Sequence, residues 1–255
     1  IMEGCDRGCT YCVVPRVRGR ERHRPFEGIV SEAQRLAAEG VREIQLLGQA
    51  VNAYGRDAGP DGDFAALLRA LAAVRGLVRV RFTSSHPLFV SLPMLEAMRD
   101  GGNTCAHLHL PVQSGSDEML RRMARGHTSA SYLEKAALAR RTVKGLVLTT
   151  DFIVGFPGET AGDFAQTLDF VRAGAFEGAF TFKYSARPGT PAAGFPDQVP
   201  EETKEERLAI LNALIDGQSR RHNESLSGTT SQVLVEGPAE DGRAWQGRLS
   251  SGRLV

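Results

Sequence analysis

The sequence predicts an α/β fold in which about six strand–helix units form a partial parallel barrel, followed by the start of a small β-barrel. Short apolar stretches alternate with amphipathic stretches of helical period over most of the 255 residues. A glycine- or proline-rich loop follows most of the apolar stretches. Near the end, two apolar stretches flank an Asp-Gly turn signal. Repeated strand–helix units favour a parallel sheet with its helices outside, flat or closed into a barrel of the TIM type.

The strand and helix patterns follow one another in a regular order. A short strand is expected to lead into Cys5. The other strands of the predicted barrel cover residues 41–47, 77–82, 107–110, 146–154 and 178–184. The predicted helices cover residues 26–38, 63–74, 92–99, 116–123, 129–142, 161–173 and 201–224. Gly40 is expected to end the first helix, and Asp63 is expected to cap the second.

The last part of the chain has a different pattern. Two strands are predicted at residues 230–237 and 245–248, joined by a turn around Asp241 and Gly242. We assign residues 1–218 to a core domain and residues 219–255 to a second domain. That second segment is short for a closed barrel, and an isolated hairpin is marginally stable, so we expect the second domain to be truncated.

Three cysteines near the start, Cys5, Cys9 and Cys12, form a C-x3-C-x2-C run. Three thiolates on one short loop can hold a four-iron, four-sulfur cluster by three of its irons, because thiolate is a preferred ligand of iron–sulfur clusters. The fourth iron would then be open to chelate a substrate or cofactor and pass an electron into it. Gly4 and Gly8 are expected to give this loop unusual backbone torsions.

Other interpretations of the cysteines are a zinc site and a disulfide. His23 is a possible fourth ligand of zinc, although its separation from the cysteines is unlike zinc-finger spacing. Three clustered cysteines leave an odd one, which argues against a disulfide framework. Cys105 stands apart beside a predicted strand and is expected to be a buried structural thiol. An electron-transfer protein, with a fourth ligand on the cluster, is a further alternative.

Arginine occupies every even position from residue 16 to residue 24. In an extended chain this period of two places all five on one side. Hydrophobic residues make up 42% and the formal net charge is only +1, so a nucleic acid would have to be bound by a local patch such as this one. Phosphate contacts are therefore predicted for Arg16, Arg18, Arg20 and Arg22. The alternative is a solvated loop, or arginines paired with the chain's own carboxylates.

Localisation is predicted from what the sequence lacks. No apolar run approaches the ~20 residues needed to cross a membrane, and no signal peptide precedes the cysteines. We therefore expect a reducing, cytoplasmic setting. A functional loop so near the first residue also predicts that the chain is a fragment.

The loops after the predicted strands combine glycine or proline with hydrogen-bonding side chains. In parallel barrels the reactive groups lie at the C-terminal ends of the strands, so these loops are expected to form the site. A tight strand-to-helix turn explains any single one of them equally well. The loops cover residues 48–55, 83–87, 111–116, 155–160 and 185–191.

The cysteine run, with Tyr11 just before its third cysteine, resembles the signature of the radical S-adenosylmethionine (SAM) enzymes. With five further segments the chain resembles the radical SAM methylthiotransferases. The loop Gly48-Gln49-x-Val51-Asn52-x-Tyr54-Gly55 resembles the branch that acts on tRNA, with Ala50 in place of the usual asparagine. The C-terminal strands resemble the start of a TRAM domain, a small β-barrel that binds RNA. The five segments are 48–55, 85–87, 107–116, 151–160 and 184–193.

The resemblance implies a chemistry and a set of residues. Cys5, Cys9 and Cys12 would carry a [4Fe–4S] cluster that binds and reductively cleaves SAM. The resulting radical would take a hydrogen from a ring carbon of the prenylated adenosine next to the anticodon (position 37), and sulfur plus a methyl group from a second SAM would complete a methylthio group. The residues expected to hold SAM are Tyr11, Gly48, Gln49, Gln113, Ser114, Asp151, Ile153, Ser185 and Arg187.

The resemblance also implies partners and rivals. The expected partners are the tRNA anticodon stem-loop and an electron donor such as flavodoxin, with no membrane and a monomeric chain. The family has an N-terminal domain with three more cysteines for a second cluster, and outside its cysteine run this chain has only Cys105. We therefore expect the chain to cleave SAM without completing methylthiolation. The alternatives are methylthiolation of a ribosomal-protein aspartate and a non-enzymatic, metal-containing RNA-binding module.

Overall fold

The computed structural model describes residues 1–57, 59 and 62–255. Helices and strands alternate along most of this part of the chain, as the sequence predicts. The helices are Val14–Val17 (α1), Phe26–Ala38 (α2), Phe64–Ala72 (α3), Leu92–Asp100 (α4), Asp117–Arg122 (α5), Ser129–Thr142 (α6), Ala161–Gly174 (α7) and Glu201–Ser225 (α8). The strands are Met2–Glu3 (β1), Arg22–His23 (β2), Glu43–Leu46 (β3), Arg79–Phe82 (β4), His107–His109 (β5), Val147–Val154 (β6), Gly178–Lys183 (β7), Val233–Pro238 (β8) and Trp245–Leu249 (β9).

Five strands pair in parallel in the order in which the chain makes them. β3 pairs with β4, and β5, β6 and β7 form a three-stranded sheet in that order. A parallel bridge from Val80 to Thr104 joins the two groups. The predicted count of six units is not confirmed, because β1 pairs with β2 in the antiparallel sense instead of opening the parallel series.

Strand β6 has one buried, mainly apolar face and one partly exposed face. Along β6 every second residue is buried, ending with Phe152 and Val154 in the main hydrophobic core. Burying a side chain of this size contributes about 1.5–3 kcal/mol. Thr149, Asp151 and Ile153 alternate with these residues and so lie on the opposite face. We call this second face, away from the helices, the inner face.

Side-chain caps fix the helices that border the site. Asp63 accepts a hydrogen bond from the Ala66 amide at 2.8 Å, which confirms the predicted cap of α3. Thr160 and Asp163 form a capping box at the start of α7. The Asp163 carboxylate also accepts a 2.6 Å hydrogen bond from the hydroxyl of Ser116, the N-cap of α5. The starts of α5 and α7 are thereby tied together at the end of the sheet.

A buried ion pair fixes the turn after β6. Glu159 accepts hydrogen bonds from the Gly155 amide at 2.7 Å and from the Arg207 guanidinium at 2.6 Å, and its side chain is almost fully buried. Because α8 supplies Arg207, the turn at the C-terminal end of β6 depends on the last long helix. Removing one partner of a buried pair typically costs about 3–5 kcal/mol.

Residues 16–24, which we call the arginine segment, depart from their predicted extended form. Arg16 lies in α1 and Arg18 is its C-terminal cap residue, so the period of two does not place these two side chains on one side of an extended chain. Pro15 stands in the first turn of α1, where its fixed φ and missing N–H favour a helix. Only Arg22, in β2, is in a strand. The extended interpretation is wrong for the first half of the segment.

The C-terminal strands β8 and β9 form the predicted antiparallel hairpin. Two buried arginines of β4 hold it. Arg79 donates to the carbonyls of Arg248 (2.6 Å) and Gln232 (3.1 Å), and Arg81 donates to those of Ser250 (2.8 Å) and Leu249 (2.6 Å). Glu43 accepts from Arg81 at 2.7 Å and neutralises part of the buried charge. The boundary that we placed between residues 218 and 219 falls inside α8, which continues to Ser225.

Among the helices of the described residues, none has the length and apolar character needed to cross a membrane.

Candidate active site

The loop that carries Cys5, Cys9 and Cys12, which we call the cysteine loop, lies at one end of the sheet. Gly4 has φ +74°, and a Cβ atom there would lie 2.1 Å from the carbonyl oxygen of Arg20, so this position requires glycine. Gly8 has no such constraint and no left-handed torsion, so the prediction of an unusual torsion at Gly8 is wrong. The Thr10 amide donates to the Met123 carbonyl at 3.2 Å, and its hydroxyl donates to the Arg122 carbonyl at 2.8 Å. The loop is therefore fixed to α5.

The thiols of Cys5, Cys9 and Cys12 line one cavity of about 400 Å³. All three are free, which excludes a disulfide among them in this structure. The Arg7 amide donates to the Cys5 sulfur at 3.4 Å. Burial raises the pKa of the Cys5 and Cys12 thiols, and this amide partly offsets the effect at Cys5. Ligation by iron would replace these protons, since metals bind cysteine as the thiolate.

Arg125 brings a buried positive charge to the same cavity. The residue is 6% exposed, and its guanidinium donates to the Cys9 sulfur at 3.4 Å and to the Pro111 carbonyl at 2.7 Å. Burial opposes its charge, but Tyr11 and Cys9 outweigh this and raise the pKa of Arg125. A permanent cation beside three thiols favours an anionic cofactor. Our sequence reasoning missed Arg125, because no motif marks it.

Five of the predicted SAM-binding residues lie together. The cavity that contains the three thiols is also lined by Tyr11, Gly48, Gln49, Gln113 and Asp151. These residues come from the cysteine loop, from the loops that follow β3 and β5, and from the middle of β6. The parallel fold thus brings together strand ends that are far apart in sequence, as expected for a barrel.

The other four predicted residues are placed differently. Ser114 is buried, and its hydroxyl lies 3.3 Å from that of Thr167 and accepts from the Ser116 amide. Ile153 packs in an apolar cluster with Tyr11. Ser185 and Arg187 lie in the exposed loop after β7. The structure does not bring these four side chains into the cavity lining.

Two cavity residues have left-handed backbone torsions without being glycine. Ser84 has φ +60° and Gln113 has φ +87°. Gln113 is held in this conformation by the strand beside it, because its amide donates to the Asp151 carbonyl and its carbonyl accepts from the Ile153 amide, both at 2.9 Å. Torsions of this kind cost about 1–3 kcal/mol each and cluster at functional sites. Gln113 is therefore fixed against β6.

Several polar atoms that line the cavity have no hydrogen-bond partner within the described residues. They are the Gln49 side-chain oxygen, the Ser85 hydroxyl, Nε2 of His86, Nε of Arg125 and Oδ1 of Asp151. Burial, followed by the charge of Arg125, lowers the pKa of His86 to about 2, so its ring is neutral at physiological pH. An unsatisfied buried polar atom costs about 1–3 kcal/mol, and a polar ligand would remove this cost. The donors and acceptors fit a polar cofactor bound next to the thiols.

The inner face of the sheet continues this polar lining. His109 lies 3.2 Å from the Asp151 carboxylate through Nε2 and 3.0 Å from the Thr149 hydroxyl through Nδ1. The three residues come from the paired strands β5 and β6. His109 also lines the cavity, and our sequence reasoning did not select it. An inward position on a short strand that ends at the site was the signal that could have found it.

His23 is engaged elsewhere, which weakens the zinc interpretation. Its Nε2 lies 3.0 Å from Glu21, and its Nδ1 accepts from the Gly55 amide at 3.2 Å. Throughout the part of the chain that the structure describes, three or more His, Cys, Asp or Glu side chains nowhere converge as they would around a single metal ion.

The arginine segment lies beside the cysteine loop. Arg20 is 3.9 Å from Asp6 and Arg22 is 3.6 Å from Glu3, but these side chains remain largely exposed. Exposed pairs of this kind contribute little, so the arginines are available to another anion. Arg16 donates to the Gly189 carbonyl, which links the segment to the loop after β7.

Comparison with known proteins decides the family. The radical SAM superfamily matches residues 1–171 of the chain. The chain belongs to the radical SAM superfamily. The cofactors of this family, a [4Fe–4S] cluster and SAM, agree with the thiol-lined cavity and its unsatisfied polar atoms.

Two relatives with the same name resemble this radical SAM chain throughout. The tRNA-2-methylthio-N(6)-dimethylallyladenosine synthase of Alkalilimnicola ehrlichii is 48% identical over 259 residues, covering 100% of this chain and 58% of that protein. The synthase of Pelotomaculum thermopropionicum is 48% identical over 242 residues, covering 95% of this chain and 54% of that protein. The chain thus spans little more than half the length of these curated relatives.

Solved structures of radical SAM enzymes share the fold. Coproporphyrinogen III oxidase from Escherichia coli superimposes with a TM-score of 0.60 at 16% identity, covering 84% of this chain and 50% of that one. The radical SAM methyltransferase TsrM from Kitasatospora setae gives 0.61 at 20% identity, covering 75% and 37%. These similarities concern the fold alone.

Proposed function

We propose that the chain is the catalytic part of a radical SAM methylthiotransferase that modifies the prenylated adenosine next to the anticodon of tRNA. One observation carries the proposal: three thiols, a buried arginine and unsatisfied polar atoms line the same cavity at the C-terminal strand ends. The names of the 48% identical relatives support the choice of tRNA as substrate.

Within this proposal, Cys5, Cys9 and Cys12 hold the [4Fe–4S] cluster. When bound, the cluster and SAM supply the radical chemistry that removes hydrogen from an unreactive C–H bond. The protein groups bind and orient. Arg125 balances negative charge beside Cys9, and Asp151 offers a carboxylate to a cationic or hydroxyl group of SAM.

The remaining predicted residues divide into those that contact SAM directly and those that support the site. Gln49 and Gln113 hold SAM directly, with Tyr11 and Gly48 shaping the cavity wall. Ser114 fixes the strand end from behind through Thr167, and Ile153 packs in the same apolar cluster as Tyr11. Ser185 and Arg187 reach SAM or RNA from the exposed loop after β7. Ser85 and His86, with their unpaired atoms, join the SAM-binding set.

We also propose how the parts work together. Residues 1–218 are the radical SAM core, with a six-unit barrel completed around β1, and residues 219–255 start a TRAM barrel that binds RNA. The exposed guanidinium groups of Arg16, Arg18, Arg20 and Arg22 contact phosphates of the anticodon stem-loop. A reduced carrier such as flavodoxin supplies electrons to the monomeric enzyme in the cytoplasm, and a second cluster, carried by a further domain, takes part in sulfur insertion.

Deuterium transfer tests the function. The chain, reconstituted anaerobically with iron and sulfide, is reduced with dithionite in the presence of SAM and an anticodon stem-loop RNA. The RNA carries a prenylated adenosine with deuterium on the ring carbon to be modified. We expect deuterated deoxyadenosine by mass spectrometry, because the cavity must hold the reacting atoms close together. Deuterium transfer from a labelled peptide that contains the ribosomal aspartate, and not from the RNA, would favour the alternative substrate. Absence of any SAM cleavage would refute the proposal that the chain is a radical SAM enzyme.

The arginine segment gives a second prediction. Replacing Arg18, Arg20 and Arg22 together by alanine should weaken stem-loop binding and flatten its salt dependence, since each lost phosphate contact lowers the slope by up to about one unit. The measurement is RNA affinity as a function of salt, with SAM cleavage unchanged. The matched control replaces Arg35, Arg99 and Arg172, which are exposed arginines of the outer helices. It changes the net charge by the same amount. Equal effects of both triple variants would contradict a specific role.

A further inference from the structure

The last parallel strand exposes two aromatic side chains. Phe180 is 65% exposed and Phe182 is 52% exposed, and both lie on the inner face of β7. The opposite face of the strand is covered, because Thr181 bonds to Asn212 and Lys183 pairs with Glu205, both on α8. The exposure is thus confined to the side that faces the site. Two adjacent large aromatic side chains left in water indicate a binding surface.

The strand register places these rings beside the cavity. Phe180 is opposite Asp151, and Phe182 is opposite Ile153. The Phe180 ring also contacts His109 edge to face, with centroids 5.9 Å apart and ring planes at 73°. His109 and Asp151 line the cavity that contains the three thiols. The two phenylalanines are outside that lining and form an aromatic wall beside it, at the open edge of the sheet.

The charges around this wall favour a nucleic acid as its occupant. The loop that follows β7 is linked to the arginine segment by the contact from Arg16 to the Gly189 carbonyl. The Ala192 amide also donates to the Thr10 carbonyl at 2.9 Å, which joins the same loop to the cysteine loop. Cations and exposed aromatic rings on one surface are the combination that binds single-stranded RNA, with phosphates on the cations and bases on the rings.

We propose that Phe180 and Phe182 form a stacking platform that receives an unpaired base of an RNA loop and presents it to the cavity. The inference rests on the proposed function and adds its base-binding residues. Stacking does not depend on the identity of the base. The group that reads the edge of the base is then His109, whose ring contacts Phe180 on the inner face.

The test uses an anticodon stem-loop RNA with the fluorescent base 2-aminopurine in place of the target adenosine. Binding of the whole chain is followed by anisotropy, and stacking is followed by quenching of 2-aminopurine. We expect Phe180→Ala to weaken binding about tenfold and to remove the quenching, and Phe182→Ala to act in the same direction. Phe180→Trp should preserve both signals, whereas Phe180→Leu should not. Affinity for the duplex stem without its loop should not change.

Leu92→Ala is the matched control, since Leu92 is a similarly exposed apolar residue at the start of α4. Its RNA affinity should equal that of the unmodified chain. Unchanged affinity and quenching in Phe180→Ala, while the unmodified chain binds RNA, would overturn the platform and leave the proposed function standing. Failure of the unmodified chain to bind the stem-loop would overturn both. A change of oligomeric state in Phe180→Ala, with RNA binding intact, would show that the wall contacts protein and would likewise overturn the platform.

Discussion

Replacing any one of Cys5, Cys9 or Cys12 by alanine is expected to abolish the iron–sulfur cluster and, with it, SAM cleavage. Each thiol lines the same cavity, and a cluster held by only three ligands has none to spare. Reconstituted chain should contain about four irons and absorb broadly near ~400 nm, and each variant should lose both properties. Iron content, the absorption spectrum and deoxyadenosine formation measure the effect.

Cys105→Ala is the matched control for these three variants. Cys105 is buried next to β4, where its amide donates to the Val80 carbonyl at 3.0 Å, and it does not line the cavity. Burial raises the pKa of this thiol, so it is a poor source of thiolate. The control should retain full iron content. A cluster lost with Cys105, or stoichiometric zinc in place of iron, would contradict the assignment.

The second large effect is expected at Arg125. Arg125→Leu should retain the cluster but lower the rate of SAM cleavage by at least about 100-fold, the typical cost of removing one preorganised donor from an active site. The variant loses the charge beside Cys9 and the hydrogen bond to Pro111. Loss of a nearby cation should also make the cluster harder to reduce. The measurements are the rate of deoxyadenosine formation and a redox titration followed by electron paramagnetic resonance.

Two further variants distinguish this role from a structural one. Arg125→Lys keeps the charge but loses the planar fork, so its potential should stay close to that of the unmodified chain while its rate falls. Arg122→Leu removes a neighbouring arginine that pairs with Asp197 at 3.4 Å and does not line the cavity. This control should change neither rate nor potential. Arg125→Leu with an unaltered rate would remove the residue from the proposed site.

Local signals predicted much of the fold. The helix predicted at residues 129–142 has the bounds that the structure shows, and Thr128 caps its start. The cysteine run and the Asp63 cap were equally visible, since each depends on residues a few positions apart. The prediction of an extended arginine segment was wrong for a local reason as well. Pro15 favours a helix at its start, and this effect outweighed the apparent period of two.

The remaining part of the site depends on contacts between distant segments. Arg125 meets Cys9 across 116 positions of the chain, and no motif in the sequence connects them. His109 and Phe180 meet only because β5 and β7 both pair with β6. Neither the register of parallel strands nor the side on which a short strand buries its residues can be read from three or four letters. Strand-end position therefore selected Gln113 and Asp151, which line the cavity, but also Ser114, whose hydroxyl lies beside that of Thr167.

Arg79 and Arg81 hold the C-terminal hairpin in a way that does not restrict its amino-acid sequence. All four carbonyls that accept from these two arginines belong to the main chain. Every amino acid supplies such a carbonyl, so substitutions in the hairpin leave these acceptors in place. Related chains can therefore exchange the outward-facing side chains of β8 and β9 while the attachment of the hairpin to β4 is kept.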